Sequence, residues 1–295
     1  MANPFSKQII GPIIVLVVAA SFACNTALAA LSYQHGATPL AVLTYRTTLA
    51  FLVLSGILVI RRQSEPLPIR LRLACLALGV LVAGYSFGLL GAIAHIPLAL
   101  AVLTFYLYPL FVAIGAWLTG QERMTLATVL QLLLAFAGLG LALDVGAGKL
   151  NFQGIALATG AALTFTVLLL INGRILKGRD SRPVSMHMLG MGAAVFWLAD
   201  LSVGEFPLPT TTLGMAAFVG AGLFYTFSFI TMFAALGMIG PVRVALFLNF
   251  EPVTSVMLGI VLLGQPMTAL QLSGAALVVA AIVWAGWSKT RRPPD

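Results

Sequence analysis

Largely apolar runs of about 18 residues or more, cut by short stretches of Gly, Pro and charge, recur along the whole chain, and each is long enough to cross a bilayer as a helix. They predict ten helices, over residues 9–31, 38–60, 71–94, 97–118, 125–143, 154–172, 184–203, 212–237, 241–263 and 268–287. The expected fold class is all-α integral membrane. The first run ends near Ala27-Leu28-Ala29, which resembles a signal-peptide cleavage site. It is longer than the ~7 to 15 residues of a signal core, so it reads as an uncleaved first helix.

Composition sharpens this picture. Of 295 residues, 60% are hydrophobic and 8% charged, whereas a soluble domain needs about 25% charged residues to cover its surface. A soluble enzyme, a nucleic-acid binder and a disordered chain are therefore disfavoured together. The net charge of +8 does not restore a nucleic-acid partner, because the basic residues lie scattered between apolar runs instead of clustering on a folded surface. Cys24 and Cys75 both fall within such runs and read as small buried hydrophobes, with no disulfide framework.

The basic residues also orient the chain. With a cytoplasmic N-terminus, the internal segments hold Lys7, Arg61, Arg62, Arg70, Arg72, Arg123, Arg174, Lys177, Arg179, Arg182, Lys289, Arg291 and Arg292, against Lys149 alone outside. Basic flanks are retained in the cytoplasm. An even helix count then places both termini there.

Sliding the chain by 143 to 144 residues superposes its halves. Pro39 meets Pro183, Pro97 meets Pro241, Pro109 meets Pro252, Gly120-Gln121 meets Gly264-Gln265, and Met124-Thr125 meets Met267-Thr268. The matches fall at helix starts, at one mid-helix kink and at one helix end, where Pro and Gly have geometric roles. Two units, 1–146 and 147–295, are expected. Five helices is an odd number, so the units sit in opposite orientations, as in alternating-access transporters with a substrate site near the midplane.

Ile96-Pro97-Leu98-Ala99-Leu100-Ala101, then Tyr108-Pro109-Leu110 and Gly120-Gln121-Glu122-Arg123, with Gly240-Pro241-Val242-Arg243-Val244-Ala245, Glu251-Pro252-Val253 and Gly264-Gln265-Pro266 in the second half, form an ordered series. It resembles the paired motif of the EamA family of the drug/metabolite transporter superfamily. The resemblance covers both halves. It implies a ten-helix inner-membrane carrier that exports small metabolites such as amino acids, with no cofactor. Arg46 stands where the family often has an arginine. Pro266 departs from the family, since many relatives carry there the glutamate that Glu122 supplies in the first half.

Ionisable residues within the bilayer are costly and mark function by default. Arg46 lies ~12 Å deep and Glu251 ~14 Å deep at 1.5 Å per helical residue. The guanidinium can hold a substrate carboxylate bidentately, and the carboxylate can hold an amine or carry a proton. The competing reading is an ion pair that only ties helices together. Arg243 lies near the cytoplasmic end, where it can snorkel to the interface. Pro109 and Pro252 are expected to kink two equivalent helices, for gating or for packing alone. Ser21 and Asn25, and likewise Thr104 and Tyr108, share helix faces at i,i+4 spacing, and Tyr225 and Ser228 at i,i+3. Tyr85, Ser86, Trp197 and Asn249 complete the candidate substrate contacts. The alternative for each is an interhelical hydrogen bond.

Two other classes remain as alternatives, a non-transporting membrane scaffold and an intramembrane enzyme. Gly84-Tyr85-Ser86-Phe87-Gly88 matches the G-x-S-x-G hydrolase pattern, but that motif works only on a strained strand-to-helix turn with a base in reach. His95 is ~13 Å along the same helix. No metal-ligand spacing, Walker loop or dinucleotide fingerprint is present in the chain. The expected function is therefore a secondary transporter in the inner membrane, with a small organic molecule as substrate, the lipid bilayer as solvent and a proton as a candidate coupling ion.

Overall fold

The computed structural model describes residues 4–61, 67–93, 95–96, 98–143, 151–263 and 268–290. Pro97, Lys149 and Pro266, on which parts of the repeat and charge arguments rest, lie outside them. The described residues form twelve helical segments: α1 (Pro4–Gln34), α2 (Pro39–Arg61), α3 (Ile69–Ile93), α4 (Leu98–Phe105), α5 (Tyr108–Leu118), α6 (Leu126–Ala142), α7 (Phe152–Ile175), α8 (Ser181–Val203), α9 (Thr212–Ile239), α10 (Pro241–Leu248), α11 (Phe250–Leu263) and α12 (Ala269–Thr290). Among the described residues, seven stretches are long and apolar enough to cross a membrane, one of them, Leu100–Leu118, running through α4 and α5, and two shorter apolar helices join them.

Two expected helices are broken. The span predicted over 97–118 parts into α4 and α5 at Tyr106 and Leu107, and the one over 241–263 parts into α10 and α11 at Asn249. Proline is the cause. Pro109 and Pro252 carry no N–H, so the carbonyls four residues earlier, on Phe105 and Leu248, lose their helical donor. At the first break the chain tightens to an i→i−3 bond, with the Leu107 N–H donating to the Thr104 carbonyl at 3.2 Å. At the second, the Asn249 amide donates back to the Ala245 and Leu246 carbonyls at 3.3 and 3.0 Å.

Side-chain caps stop the other helices where the sequence changes character. Thr125, Asn151, Asp180 and Thr211 each accept backbone N–H bonds at the starts of α6, α7, α8 and α9, which satisfies donors that a helix start leaves orphaned. Asp180 also holds Arg182 at 2.7 Å. Burial raises the Asp180 carboxyl, but the Arg182 bonds outweigh it and hold the group below its usual range.

Packing follows the small residues. α1 lies along α9, α3 against α7 and α8, α2 against α8 and α9, and α6 against α12. At the α6–α12 crossing a Cβ on Gly138 would sit 2.8 Å from the Gly274 carbonyl oxygen, so only glycine permits that approach, as expected between helices in lipid. One end of the bundle gathers the C-termini of α5, α7 and α9 with the N-terminus of α10. There Arg174 donates to the Thr119 carbonyl at 2.7 Å, Gly173 faces Pro241, and Gly11 of α1 packs on Ile239. This is the basic end, carrying Arg123, Arg174, Lys177, Arg179 and Arg182. At the opposite end the α1–α2 turn is stitched to the loop before α9, where the Thr210 N–H donates to the His35 carbonyl at 2.9 Å.

Candidate functional site

The two helix breaks face a common cavity of about 180 Å³. Phe105, Tyr106 and Tyr108 reach it from the first break, and Leu248 and Glu251 from the second. The remaining walls come from α1 (Phe22, Asn25, Thr26), α2 (Arg46), α3 (Tyr85, Leu89), α7 (Phe165) and α9 (Tyr225, Phe229, Met232). Helix breaks free backbone groups and bend the chain away, which opens space at membrane depth.

The cavity brings a guanidinium and a carboxyl group together. The Arg46 guanidinium lies over the Tyr225 ring, 4.3 Å from its centroid, an arrangement in which the ring quadrupole attracts the cation. Its Nε is buried and makes no hydrogen bond among the described residues. Glu251 has the hydroxyls of Tyr106 and Thr26 and the Arg46 guanidinium as polar neighbours. The rest of the wall is aromatic. Phe165 stands edge-on to Tyr108 at 4.8 Å and close to Tyr85 at 5.0 Å, while Tyr225 packs on Phe229 at 5.5 Å. A guanidinium, a carboxyl group and apolar faces are thus presented to one small volume.

Of the residues named from sequence, Asn25, Arg46, Tyr85, Tyr108, Tyr225 and Glu251 line this cavity. The others lie elsewhere, each for a local reason. Ser86 and Thr104 turn back on their own helices, donating to the Val82 and Leu100 carbonyls at 3.0 and 2.7 Å. Ser228 donates to the Val18 carbonyl at 3.4 Å, and Ser21 donates to the Phe224 carbonyl at 3.2 Å, so both tie α1 to α9. With its amide nitrogen turned to the Ala221 carbonyl, 3.1 Å away, Asn25 adds to the same seam. Asn249 is consumed by the break in its own helix. Trp197 is 42% exposed, donates to Thr48 at 3.0 Å and stacks on Phe206. Pro109 and Pro252 sit at the starts of α5 and α11, next to the breaks rather than in the cavity wall.

Gly84-Tyr85-Ser86-Phe87-Gly88 lies inside the unbroken α3, and Ser86 bonds its own helix. The strained turn that the hydrolase motif requires is absent there. His187 hydrogen-bonds the Pro183 carbonyl at 2.7 Å, and His95 is exposed in the turn after α3.

Sequence reading passed over Thr26, Tyr106 and Phe165 in the cavity. Tyr106 was findable, since it lies three residues before Pro109, where a break had to fall. A second omission is Asp200 in α8. Its side chain is 4% exposed, the Thr44 hydroxyl of α2 donates to one carboxylate oxygen, and the other has no partner among the described residues. The same rule that marked Arg46 and Glu251, an ionisable residue inside an apolar run, applied to it.

These features define a polytopic helical membrane protein with an internal cavity lined by Arg46, Glu251 and aromatic rings. The chain belongs to the EamA-like transporter family, whose model matches residues 9–143 and again 152–287. It is similar to an uncharacterized transporter, YvbV, of Bacillus subtilis (strain 168), 25% identical over 234 residues, which covers 75% of this chain and 72% of the relative. It is also similar to an uncharacterized transporter of Archaeoglobus fulgidus, 26% identical over 194 residues, covering 66% and 69%. A solved crystal structure at 21% identity superposes with a TM-score of 0.76 over 98% of this chain and 99% of the other, a likeness of fold. The protein is a multi-pass membrane transporter.

Proposed function

We propose that the chain is a secondary carrier that alternates access by rocking two inverted five-helix units, 1–146 and 147–295, and exports small amphipathic metabolites, with amino acids and related compounds as the favoured class. Both termini face the cytoplasm and the basic end lies at the cytoplasmic surface of the plasma membrane. Support for the paired units comes from the twofold match to one family and from helix breaks at 106–107 and 249, whose spacing is within about one residue of the sequence repeat.

One observation carries the functional reading. Arg46 and Glu251, from α2 and α11, look into the same cavity among aromatic rings. A guanidinium matches a substrate carboxylate bidentately, a buried carboxylate matches an amine or a proton, and the rings take an apolar side chain. At about 180 Å³ the space is below the roughly 300–1,000 Å³ of sites for drug-sized ligands, which suits a compact metabolite. The prolines loosen α4–α5 and α10–α11 at mid-depth and so supply the gating elements.

The test is uptake and counterflow of labelled amino acids in proteoliposomes, with and without a pH gradient. Saturable transport abolished in Arg46→Ala supports the carrier reading. Absence of transport for every charged and zwitterionic amino acid tested refutes the favoured substrate class.

A further inference from the structure

At the basic end of the bundle the arginines have two different settings. Arg174 donates to the Thr119 carbonyl and Arg182 is paired with Asp180, so both serve the fold. Arg123 and Arg243 instead line a second cavity, a crevice of about 330 Å³ that is larger than the central one. Arg123 is carried there by the turn after α5, which reverses at Gly120 with φ +66°. Arg243 comes half-buried from the first turn of α10. The walls between them are built by Ala113 of α5, Thr128 and Gln131 of α6, Leu246 of α10 and Ala285 of α12.

An arginine stays charged at any physiological pH, and two guanidiniums on one volume repel each other until an anion joins them. Glu122 lines the same crevice, and its Oε1 accepts the Val242 N–H at 3.3 Å. Even with that carboxyl ionised, the two arginines leave the lining net positive. The Thr125 and Thr128 hydroxyls also line it, 2.9 Å apart. They share one hydrogen bond, so the second O–H of the pair can turn to an acceptor. Guanidinium forks and hydroxyls are the donors that hold phosphate oxygens. The buried Gln131, ~9 Å along α6 from Thr125, keeps the deeper wall polar. The crevice also lies at headgroup depth. Trp117 near the end of α5 and Trp284 beside Ala285 on α12 are exposed, and indoles settle at the membrane surface. Ile114, Leu118, Leu130 and Leu133 of α5 and α6 are exposed as well, and such faces take acyl chains.

We propose that this crevice binds an anionic phospholipid of the cytoplasmic leaflet, its phosphate held by Arg123 and Arg243 and its acyl chains lying on the exposed apolar residues of α5 and α6. Basic pockets between membrane helices on the cytoplasmic side suit such headgroups. The site is separate from the central cavity and needs no transport substrate. Only the choice of leaflet rests on the orientation proposed above.

The experiment uses the full chain, purified in detergent and stripped of lipid, with phosphatidylglycerol as the probe. Phosphatidylcholine is the zwitterionic comparison and glycerol phosphate the soluble one. Native mass spectrometry, titrated with each, reads the bound molecules. Phosphatidylglycerol is expected to stay as one tight adduct at concentrations where phosphatidylcholine does not. Arg243→Gln and Arg123→Gln should each weaken it about fivefold, the share of one arginine at an anionic surface. Arg123 stands exposed in a turn, so its variant serves where Arg243→Gln folds poorly. Arg179→Gln removes an equal charge at the same end outside the crevice and should change the affinity by less than about twofold, since it touches only the diffuse field. Equal binding of the two lipids, unchanged affinity in both crevice variants, or an equal loss in Arg179→Gln overturns the site. Glycerol phosphate binding as tightly as phosphatidylglycerol overturns the lipid and assigns the crevice to a soluble phosphate ester. None of these readings depends on transport or on which face is cytoplasmic, so a failure here leaves the carrier reading standing.

Discussion

Arg46 and Tyr225 meet face-on at 4.3 Å, and they bring α2 and α9 together at the cavity wall. The pair explains how a guanidinium is held at membrane depth although its Nε lacks a hydrogen-bond partner among the described residues. Cation–π attraction in a desolvated setting is worth about 2 kcal/mol. In the proposed carrier the guanidinium would meet the substrate carboxylate while held in this way.

Tyr225→Phe keeps the ring and should leave folded yield near that of the parent. Tyr225→Leu should lower the thermal midpoint in detergent and weaken transport. Arg46→Lys is expected to reduce transport strongly while retaining the fold, because an ammonium cannot grip a carboxylate bidentately. Equal loss of folded protein in Arg46→Ala and Arg46→Lys would count for a purely structural arginine.

Glu251 separates two roles by pH. If it carries a proton, Glu251→Gln should abolish the response of transport to a pH gradient while exchange of unlabelled for labelled substrate persists. If it holds a substrate amine, Glu251→Gln should weaken zwitterions and leave carboxylate-only analogues little changed. Exchange kinetics in proteoliposomes distinguish the two, and no effect on either would remove Glu251 from the site.

Asp200 and Thr44 form a seam between α2 and α8 away from the cavity. Thr44→Val removes the only hydrogen-bond donor to that carboxylate among the described residues, and should destabilise the protein by about 1–3 kcal/mol, read as a lower thermal midpoint. Asp200→Asn lets an amide oxygen accept the same bond and should be milder. Transport per folded molecule is expected to stay within twofold of the parent, roughly the effect of a few tenths of a kcal/mol.

Asp180 offers a pH test at the start of α8. Its folded carboxyl titrates below the ordinary 3.8 because the Arg182 bonds outweigh burial. A depressed acid stabilises the folded state above its unfolded value, and that contribution disappears as pH falls through the folded value. Asp180→Asn should therefore lower the thermal midpoint slightly at neutral pH, and the difference from the parent should shrink as the pH is taken below 3.8. The group is 37% exposed, so the effect is less than about 1 kcal/mol.

Much of this architecture was legible along the chain. The starts of α2, α8 and α9 lie within three residues of the predicted ones, because Pro, Ser, Thr and Gly punctuate apolar runs through geometry that lipid does not alter. Bends at Pro109 and Pro252 were anticipated, although the interruption of both helices, at Tyr106 and Leu107 and at Asn249, was not. Arg46 and Glu251 stood out because ionisable groups are rare in such runs. Asp200 met the same criterion and was passed over. Ser86 and Trp197 were chosen on depth and Thr104 on the face it shares with Tyr108, yet neither depth nor spacing says which way a side chain turns.

The sequence by itself determined that this protein lives in a membrane, where its helices begin and bend, and which charges enter the bilayer, since length, proline and charge act locally. Only the tertiary structure decided that Tyr106, Phe165 and Tyr225 share a cavity with Arg46 and Glu251 while Ser228 and Asn249 do not. The physical reason is that lipid is as apolar as the packed interior. A helix there carries no contrast between its inner and outer faces, and its partners are selected by small-residue contacts and single hydrogen bonds that no periodicity announces.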